Sequence, residues 1–229
     1  MLHKLPRWVW MGGSVLAGVA GMVNAIAFLS FTHQAATHMT GIFTHLSIGL
    51  FDHDPGQAQQ AALMLFSFFG GAMICGMIIH DGHLKMGRRY GLALGMESLL
   101  LFAATLAFYR HSGWGERLAA MAAGLQNAMV STYSGSIVRT THMTGILTDF
   151  GALTGQILRG VQIDPLRIRL LALLMGSFLG GGIVGVLAFG RWGYLAMLVP
   201  AFTVAGAAVG YLFIRNDHLK KGSSPLTTS

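Results

Sequence analysis

The sequence predicts an all-α membrane protein built from two similar halves, and three observations support this prediction. Hydrophobic residues make up 53% of the 229 residues and charged residues only 10%, whereas about a quarter of an ordinary soluble domain is charged. Several apolar stretches reach the roughly 20 residues that a membrane-spanning helix needs. Residues 37–45 (THMTGIFTH) recur at 141–149 (THMTGILTD) with seven of nine positions identical, and paired repeats in a membrane chain are typical of transporters.

Six apolar stretches are predicted to cross the membrane as helices. In chain order they are residues 8–31, 60–80, 91–109, 118–137, 167–190 and 193–214. The first stretch follows Lys4 and Arg7 and so resembles a secretory signal. Asn24 near its end belongs to an element that recurs in the second half, which predicts that this stretch is kept as a helix. Its glycines favour close contacts between helices, because lipid provides no hydrophobic force that drives helices together.

The copies at residues 37–45 and 141–149, which we call the first and second repeated segments, are predicted to enter the membrane and return. The stretch around the first segment, residues 32–51, is long enough to span but carries too many polar side chains to face lipid. Such backbone is tolerated at membrane depth only where protein or water surrounds it, as in re-entrant loops and broken helices. The predicted fold therefore has six transmembrane helices plus two re-entrant or broken helices.

The similarity between the halves extends beyond the repeated segments. Residues 23–25 (VNA) precede the first segment as residues 126–128 (QNA) precede the second. The five residues SFFGG in the first half also recur in the second half as SFLGG, 110 positions later. The repeat is therefore expected to cover a whole group of helices in each half.

Three crossings in each half give the halves opposite orientations, which makes the predicted fold a pair of inverted-topology repeats. The units are residues 1–110 and 111–214, followed by a tail at 215–229 that is predicted to be disordered and cytoplasmic. This topology places eleven Lys and Arg residues in the cytoplasm and three outside, with Arg139 at the second segment itself. In the alternative, both repeated segments span fully, which gives eight helices with ten such residues inside and four outside. Both topologies obey the positive-inside rule. Both termini are then expected to be cytoplasmic.

The net charge of +7 does not predict a nucleic-acid partner, because basic residues that flank apolar spans set the orientation of the chain instead. Cys75 is the single cysteine, which excludes an internal disulfide, and its apolar neighbours predict a small buried residue. The predicted partners are the lipid bilayer and a small solute or ion, and a homodimer is left open.

The repeated segments supply the predicted binding site. A threonine before a short helix, as at Thr37 and Thr141, is typical of an N-cap, and the glycines that follow would let a ligand approach the first helical turn. We expect the two helix starts to be buried and to face each other near the midplane, where they would favour an anion or the negative end of a solute. The predicted substrate-binding residues are Asn24, His38, Thr40, Gly41, Thr44, His45, Gln126, Asn127, Arg139, His142, Thr144, Gly145, Thr148 and Asp149. In the alternative interpretation, the threonine hydroxyls only bond their own helix or a neighbouring one.

Glu97, His45 and Asp149 are predicted to act in gating or proton coupling. His45 and Asp149 occupy equivalent positions in the two segments, so they would lie close together if the halves meet on a pseudo-two-fold axis. Glu97 is an acid within an apolar helix, where an unpaired carboxylate costs at least about 2.5 kcal/mol on insertion scales. Glu97 should therefore be protonated or paired, with Arg139 as the closest partner in character, unless it lies in water near a helix end.

Other function classes receive less support. The histidines would allow a divalent-metal or proton-coupled cation transporter, but no His-Glu-x-x-His spacing or paired cysteines are present. An intramembrane hydrolase would need a nucleophile with an aligned base, and no nucleophile motif appears. A structural membrane protein is a further alternative. The leading hypothesis is a small transporter or channel for a small anion or acceptor-rich solute, which is not an enzyme and carries no cofactor or resident metal.

Residues 23–25 (VNA), residues 39–41 (MTG) and the related elements of the second half resemble the YoaK family of uncharacterised bacterial membrane proteins. The resemblance covers nearly the whole chain. It implies a multi-pass protein of the bacterial inner (plasma) membrane, and it implies no substrate.

Overall fold

The computed structural model describes residues 7–30, 35–79, 88–134 and 138–222, which form eight α-helices and one short 3₁₀-helix. In chain order they are α1 (Arg7–Phe28), α2 (Met39–Phe51), α3 (Pro55–Ile78), α4 (Arg88–Tyr109), α5 (Trp114–Ser134), α6 (Met143–Leu158), α7 (Pro165–Trp192), the 3₁₀-helix (Gly193–Met197) and α8 (Leu198–Gly222). No strand occurs in the described residues, so the all-α prediction is confirmed there.

Among the described residues, four helical segments are long and apolar enough to cross a membrane, and they are consistent with a membrane protein. These segments are Trp8–Phe28, Pro55–Ile78, Arg88–Tyr109 and Pro165–Phe213. The last is 49 residues long and covers α7, the 3₁₀-helix and α8 as far as Phe213. The sequence predicts two separate spans in this region. α5 was also predicted to span, but most of its surface is buried against other helices. A helix enclosed by protein needs less apolar surface than one that faces lipid.

The helices α3 and α7 begin with the same capping device. Asp54 accepts hydrogen bonds from the backbone N–H groups of Gly56 (2.9 Å) and Gln57 (3.1 Å), and Asp164 accepts one from Leu166 (3.0 Å). A proline occupies the first helical position in both cases, where its missing N–H is not needed. Both helices therefore start earlier than the predicted stretches at 60 and 167.

Glycines allow two pairs of helices to approach closely, α1 with α7 and α3 with α5. A Cβ on Gly181 would overlap the carbonyl of Gly18 across the first pair. Along the same pair, Gly18 meets α7 at Ser177 and Met22 meets it at Gly185, so α1 and α7 run in the same direction. Such contacts are typical of membrane helices, which associate through small residues.

The tail that was predicted to be disordered from Arg215 is helical as far as Gly222, where α8 ends. Leu and Lys in this segment are good helix formers, so the apolar helix continues into polar sequence. Residues 223–229 lie outside the described residues. Most of the basic loop before α4 also lies outside them, at residues 80–87.

Candidate functional site

The repeated segments begin α2 and α6, but the two helices do not pack together. α2 packs against α3, and α6 packs against α7. Each short helix therefore folds back onto the helix that follows it in sequence, and most of its outer side chains are exposed. The expectation that the two segments are buried face to face is wrong, because each makes its main contact within its own half.

Thr37 and Thr141 do not cap these helices, which corrects the predicted N-caps. The N-cap positions are the histidines one residue later, without a side-chain capping bond. The Thr37 hydroxyl instead donates to Asn24 Oδ1 at 2.7 Å, and the Thr37 backbone N–H donates to the same oxygen at 3.1 Å. In the second half, Asn127 Nδ2 donates to the hydroxyl of Thr141. The two asparagines thus tie the start of each repeated segment to the preceding helix.

The imidazole rings of His38 and His142 fold over the first turn of their own helices. A Cβ on Gly41 would lie 3.4 Å from His38 Nδ1, and a Cβ on Gly145 would overlap the His142 ring. These glycines therefore make room for the chain's own histidine. Both imidazoles are exposed.

The four predicted binding threonines lie on the exposed faces of α2 and α6. The Thr44 hydroxyl donates to the Thr40 carbonyl at 3.2 Å, and the Thr148 hydroxyl donates to the Thr144 carbonyl at 2.9 Å. Bonds to the carbonyl four residues earlier are the usual way in which a helix satisfies a threonine hydroxyl. This geometry agrees with the structural alternative for these residues.

His45 and Asp149 do not pair with each other, so that prediction is wrong. His45 Nδ1 lies 3.3 Å from Gln57 Nε2, and Asp149 Oδ2 lies 3.6 Å from an Arg167 guanidinium nitrogen. Each residue thus contacts the helix onto which its own segment folds. Both side chains of the Asp149–Arg167 pair are about half exposed, at 54% and 51%.

We expect the effects of His45→Ala and Asp149→Ala on the free energy of unfolding to be additive within about 0.5 kcal/mol, because the residues do not touch. Asp149→Ala and Arg167→Ala should couple by less than about 1 kcal/mol, since exposed ion pairs contribute little. Double-mutant cycles on detergent-solubilised protein measure both quantities. A large coupling between His45 and Asp149 would contradict the separation described above.

A buried polar group links α1, α5 and the start of the second repeated segment. Gln126 Nε2 donates to the Leu16 carbonyl at 2.9 Å and to the Thr140 hydroxyl at 2.8 Å. Gln126 is 2% exposed and Thr140 is fully buried. Of the predicted substrate-binding residues, Gln126 is the most deeply buried.

Glu97 lies beside this group, at the middle of α4, and is 1% exposed. Its Oε2 is buried and has no hydrogen-bond partner in the described part of the chain. Arg139, its expected partner, is exposed, so the predicted pairing is wrong. Glu97 instead lines a cavity of about 10 Å³ together with Thr37 and Gln126. We call this cavity the inner chamber, and it has the size needed for about one water molecule.

A larger cavity of about 460 Å³ lies between α1, α4, α5 and α8, and we call it the outer cavity. Leu16, Leu94 and Val130 line its deep end. One helical turn further along the same three helices, Ala20, Glu97 and Gln126 line the inner chamber. The outer cavity therefore leads towards the buried carboxyl group.

Four aromatic side chains surround the outer cavity near the start of α1. They are Trp8, Tyr90, Tyr133 and Tyr211, which we call the aromatic group. Each ring contacts two others of the group, with centroid separations between 5.0 and 6.4 Å. Such edge and tilted contacts are favourable arrangements of aromatic rings.

The opposite end of the same helices is closed. Phe108 at the end of α4 is fully buried and packs so tightly on Gly115 that a Cβ there would lie 2.6 Å from Phe108 Cγ. Phe108 also stacks on Tyr194, with ring centroids 6.0 Å apart, and His111 contacts the same tyrosine at 5.3 Å.

Sequence reasoning missed the aromatic group and a second buried acid, Glu116. Glu116 is 4% exposed and accepts a hydrogen bond from the Ser30 hydroxyl at 2.9 Å. An acid in the first turn of a helix, as Glu116 is in α5, is a recognisable signal. The aromatic residues stand at helix ends that the predicted topology places on one membrane side, which could have indicated a cluster.

Within the described residues, no group of three or more His, Cys, Asp or Glu side chains could hold a metal ion. The histidines and Asp149 therefore do not converge across the two halves as a metal site would require.

A family model described as "Protein of unknown function (DUF1275)" matches residues 12–210, a range that includes both repeated segments and Glu97. No curated protein and no solved structure matches the chain.

Proposed function

We propose that this chain, which belongs to the DUF1275 family of proteins of unknown function, is a small membrane transporter that couples solute movement to protons. In this proposal six helices span the bacterial inner membrane, α2 and α6 are re-entrant, and both termini are cytoplasmic. The narrower resemblance to the YoaK family agrees with this proposal. The proposed central site is the inner chamber.

Inverted repeats are supported by contacts that recur with the two halves exchanged. A Cβ on Gly21 of α1 would overlap the Phe178 carbonyl of α7, and a Cβ on Gly124 of α5 would overlap the Phe68 carbonyl of α3. The repeat relates Gly21 to Gly124 and Phe68 to Phe178. The same contact therefore forms twice between opposite halves, as a pseudo-two-fold axis requires.

The third helices of the two halves follow the same rule. A Cβ on Gly91 of α4 would lie 3.6 Å from Tyr211 Cδ1 of α8, and Tyr194 stacks on Phe108. Under the shift of 103 residues that relates Gly21 to Gly124 in the first helices, Gly91 corresponds to Tyr194 and Phe108 to Tyr211. On the same shift, Ser98 corresponds to Ala201, and the Ser98 hydroxyl donates to the Ala201 carbonyl at 3.0 Å.

The difference between the two ends of the molecule is the observation that carries the transporter proposal. At the closed end, Gly115 is covered by Phe108. The corresponding residues at the other end are Gly12 and Tyr211, but both line the outer cavity and nothing lies within 4 Å of a Cβ on Gly12. Equivalent gates that are closed at one end and open at the other are expected for alternating access, in which the halves exchange conformations.

The residues around the inner chamber favour a cationic solute whose transport is coupled to protons. The sequence alone predicts an anion from the two helix starts. The buried ionisable group at the inner chamber is the carboxyl group of Glu97, whereas Arg139 is exposed. Acidic residues inside membrane proteins commonly serve as proton relays. Asn24, Asn127 and Gln126 would then position the repeated segments around the centre.

Thiol labelling tests the alternating gates. In a Cys75→Ser background, Leu16→Cys lines the outer cavity, while the corresponding Ala119→Cys is buried behind the closed end. A membrane-impermeant maleimide should label Leu16→Cys from one side of oriented vesicles and leave Ala119→Cys unlabelled. Adding Gly115→Ala should displace Phe108. Because overpacking costs about 1–3 kcal/mol, the equilibrium between the two states should shift by about fivefold or more.

In that variant Ala119→Cys should label from the opposite side and Leu16→Cys should become protected. Gly12→Ala is the matched control, because its methyl group meets nothing within 4 Å. If Ala119→Cys opens while Leu16→Cys stays fully reactive, both ends are open at once and the protein is a channel.

A further inference from the structure

We propose that the outer cavity binds an organic ammonium cation, a solute whose positive charge is carried on an apolar body. This inference rests on the proposed function and names the substrate class of the same pathway.

The aromatic group forms a closed ring of contacts around one end of the cavity. Trp8 and Tyr90 each lie 5.0 Å from Tyr133 between ring centroids, and Tyr211 lies 6.3 Å from Trp8 and 6.4 Å from Tyr90. The faces of tryptophan and tyrosine attract cations, and several such rings together are a known means of binding quaternary ammonium groups.

Tyr133 provides an independent sign of a missing ligand. The residue is 7% exposed and lines the cavity, and its Oη is buried without a hydrogen-bond partner in the described residues. A buried hydroxyl without a partner is unfavourable. A cation bound beside Tyr133 would be attracted electrostatically to the lone pairs of this oxygen.

The lining of the cavity is unsuitable for an anion. No Lys or Arg is among the described residues that line it. Its two aliphatic hydroxyl groups are already used, because Ser134 donates to the Val130 carbonyl at 2.8 Å and Thr203 donates to the Val199 carbonyl at 2.8 Å. An anion would therefore lose its hydration and find no charged donor, only the neutral hydroxyl and indole groups of the aromatic group, which is costly in an otherwise apolar site.

Glu97 supplies the opposite charge beyond the deep end of the cavity. It follows Leu94 by one helical turn and faces the inner chamber. A cation in the outer cavity would thus lie between the aromatic group and a carboxyl group, and the approach of the cation would favour the ionised form of that carboxyl.

Binding of benzyltrimethylammonium tests this inference without any transport measurement. The probe is compared with neopentylbenzene, a neutral molecule of the same shape, and with phenylacetate, an anion, by titration of the full chain in nanodiscs. We expect the cation to bind at least about tenfold more tightly than the other two. Trp8→Leu and Tyr133→Leu should each weaken binding by about tenfold, since a desolvated cation–π contact is worth up to about 2 kcal/mol.

Tyr133→Phe is the matched control, because it keeps the ring and removes only the hydroxyl group. It should lose the contact of the hydroxyl oxygen with the cation but keep the ring contact, so its affinity should lie between those of the native protein and Tyr133→Leu. Equal binding of the neutral molecule would make the cavity a general apolar site, such as one for a lipid chain, and would overturn the inference. Tighter binding of phenylacetate would also overturn it. Either result leaves the labelling test of the two gates unaffected, so failure of this inference and failure of the proposed function are distinguishable.

Discussion

Gly181→Ala should strongly destabilise the protein, whereas Gly180→Ala, one residue away, should not. A Cβ on Gly181 would overlap the backbone carbonyl of Gly18, while a Cβ on Gly180 meets nothing within 4 Å. Backbone atoms cannot rotate away as a side chain can, so α1 and α7 would have to separate along their length. We expect a loss at the upper end of the overpacking range, about 3 kcal/mol.

The control should behave in the opposite direction. Gly180 is an exposed position within α7, and alanine favours helix over glycine by up to about 1 kcal/mol. Thermal unfolding in detergent, followed by the fraction of monodisperse protein, measures both variants. Gly71→Ala should resemble Gly181→Ala, because a Cβ on Gly71 would overlap the Met121 carbonyl of α5. Equal unfolding temperatures for Gly180→Ala and Gly181→Ala would show that α1 and α7 are not in such close contact.

The sequence allows the helices to be predicted well where the signal is local. Apolar stretches of suitable length locate α1, α3, α4 and α7, and the repeated SFFGG and SFLGG elements indicate that two helices have the same role. The partners of those glycines could not be predicted, because Gly71 and Gly181 contact helices from the other half. Helix starts were placed too late, although Asp54 and Asp164, each followed by proline, are local signals for them.

The candidate site was predicted only in part, because tertiary contacts change the roles of individual residues. Thr37 has the sequence position of an N-cap, but its hydroxyl donates a hydrogen bond to the Asn24 side chain instead. His45 and Asp149 occupy equivalent positions in the sequence, yet each contacts the helix that follows its own repeated segment. The outer cavity depends on residues as far apart as Trp8 and Tyr211, which no pattern of local spacing can bring together.

Glu97→Gln should abolish the proposed proton coupling while leaving the fold intact. An unpaired carboxylate at this depth costs at least about 2.5 kcal/mol, and no partner of Glu97 Oε2 is present among the described residues. Glutamine has almost the same shape as glutamate and is always neutral, so the variant protein should be at least as stable as the native protein. Glutamine cannot release a proton when a cation arrives, so the exchange of a proton for the cation is lost.

The measurement is the rise of internal pH in proteoliposomes with a trapped pH indicator, as protons leave in exchange for benzyltrimethylammonium added outside. We expect the Glu97→Gln signal to fall more than about tenfold, because a step that needs ionisation of this group is removed and not merely slowed. Glu116→Gln is the matched control, since Glu116 is also buried but accepts a hydrogen bond from Ser30, and glutamine keeps an accepting oxygen there. Loss of coupling in both variants would point to a general effect of removing a buried acid. Full coupling in Glu97→Gln would exclude Glu97 as the proton carrier and would contradict the proposed coupling mechanism.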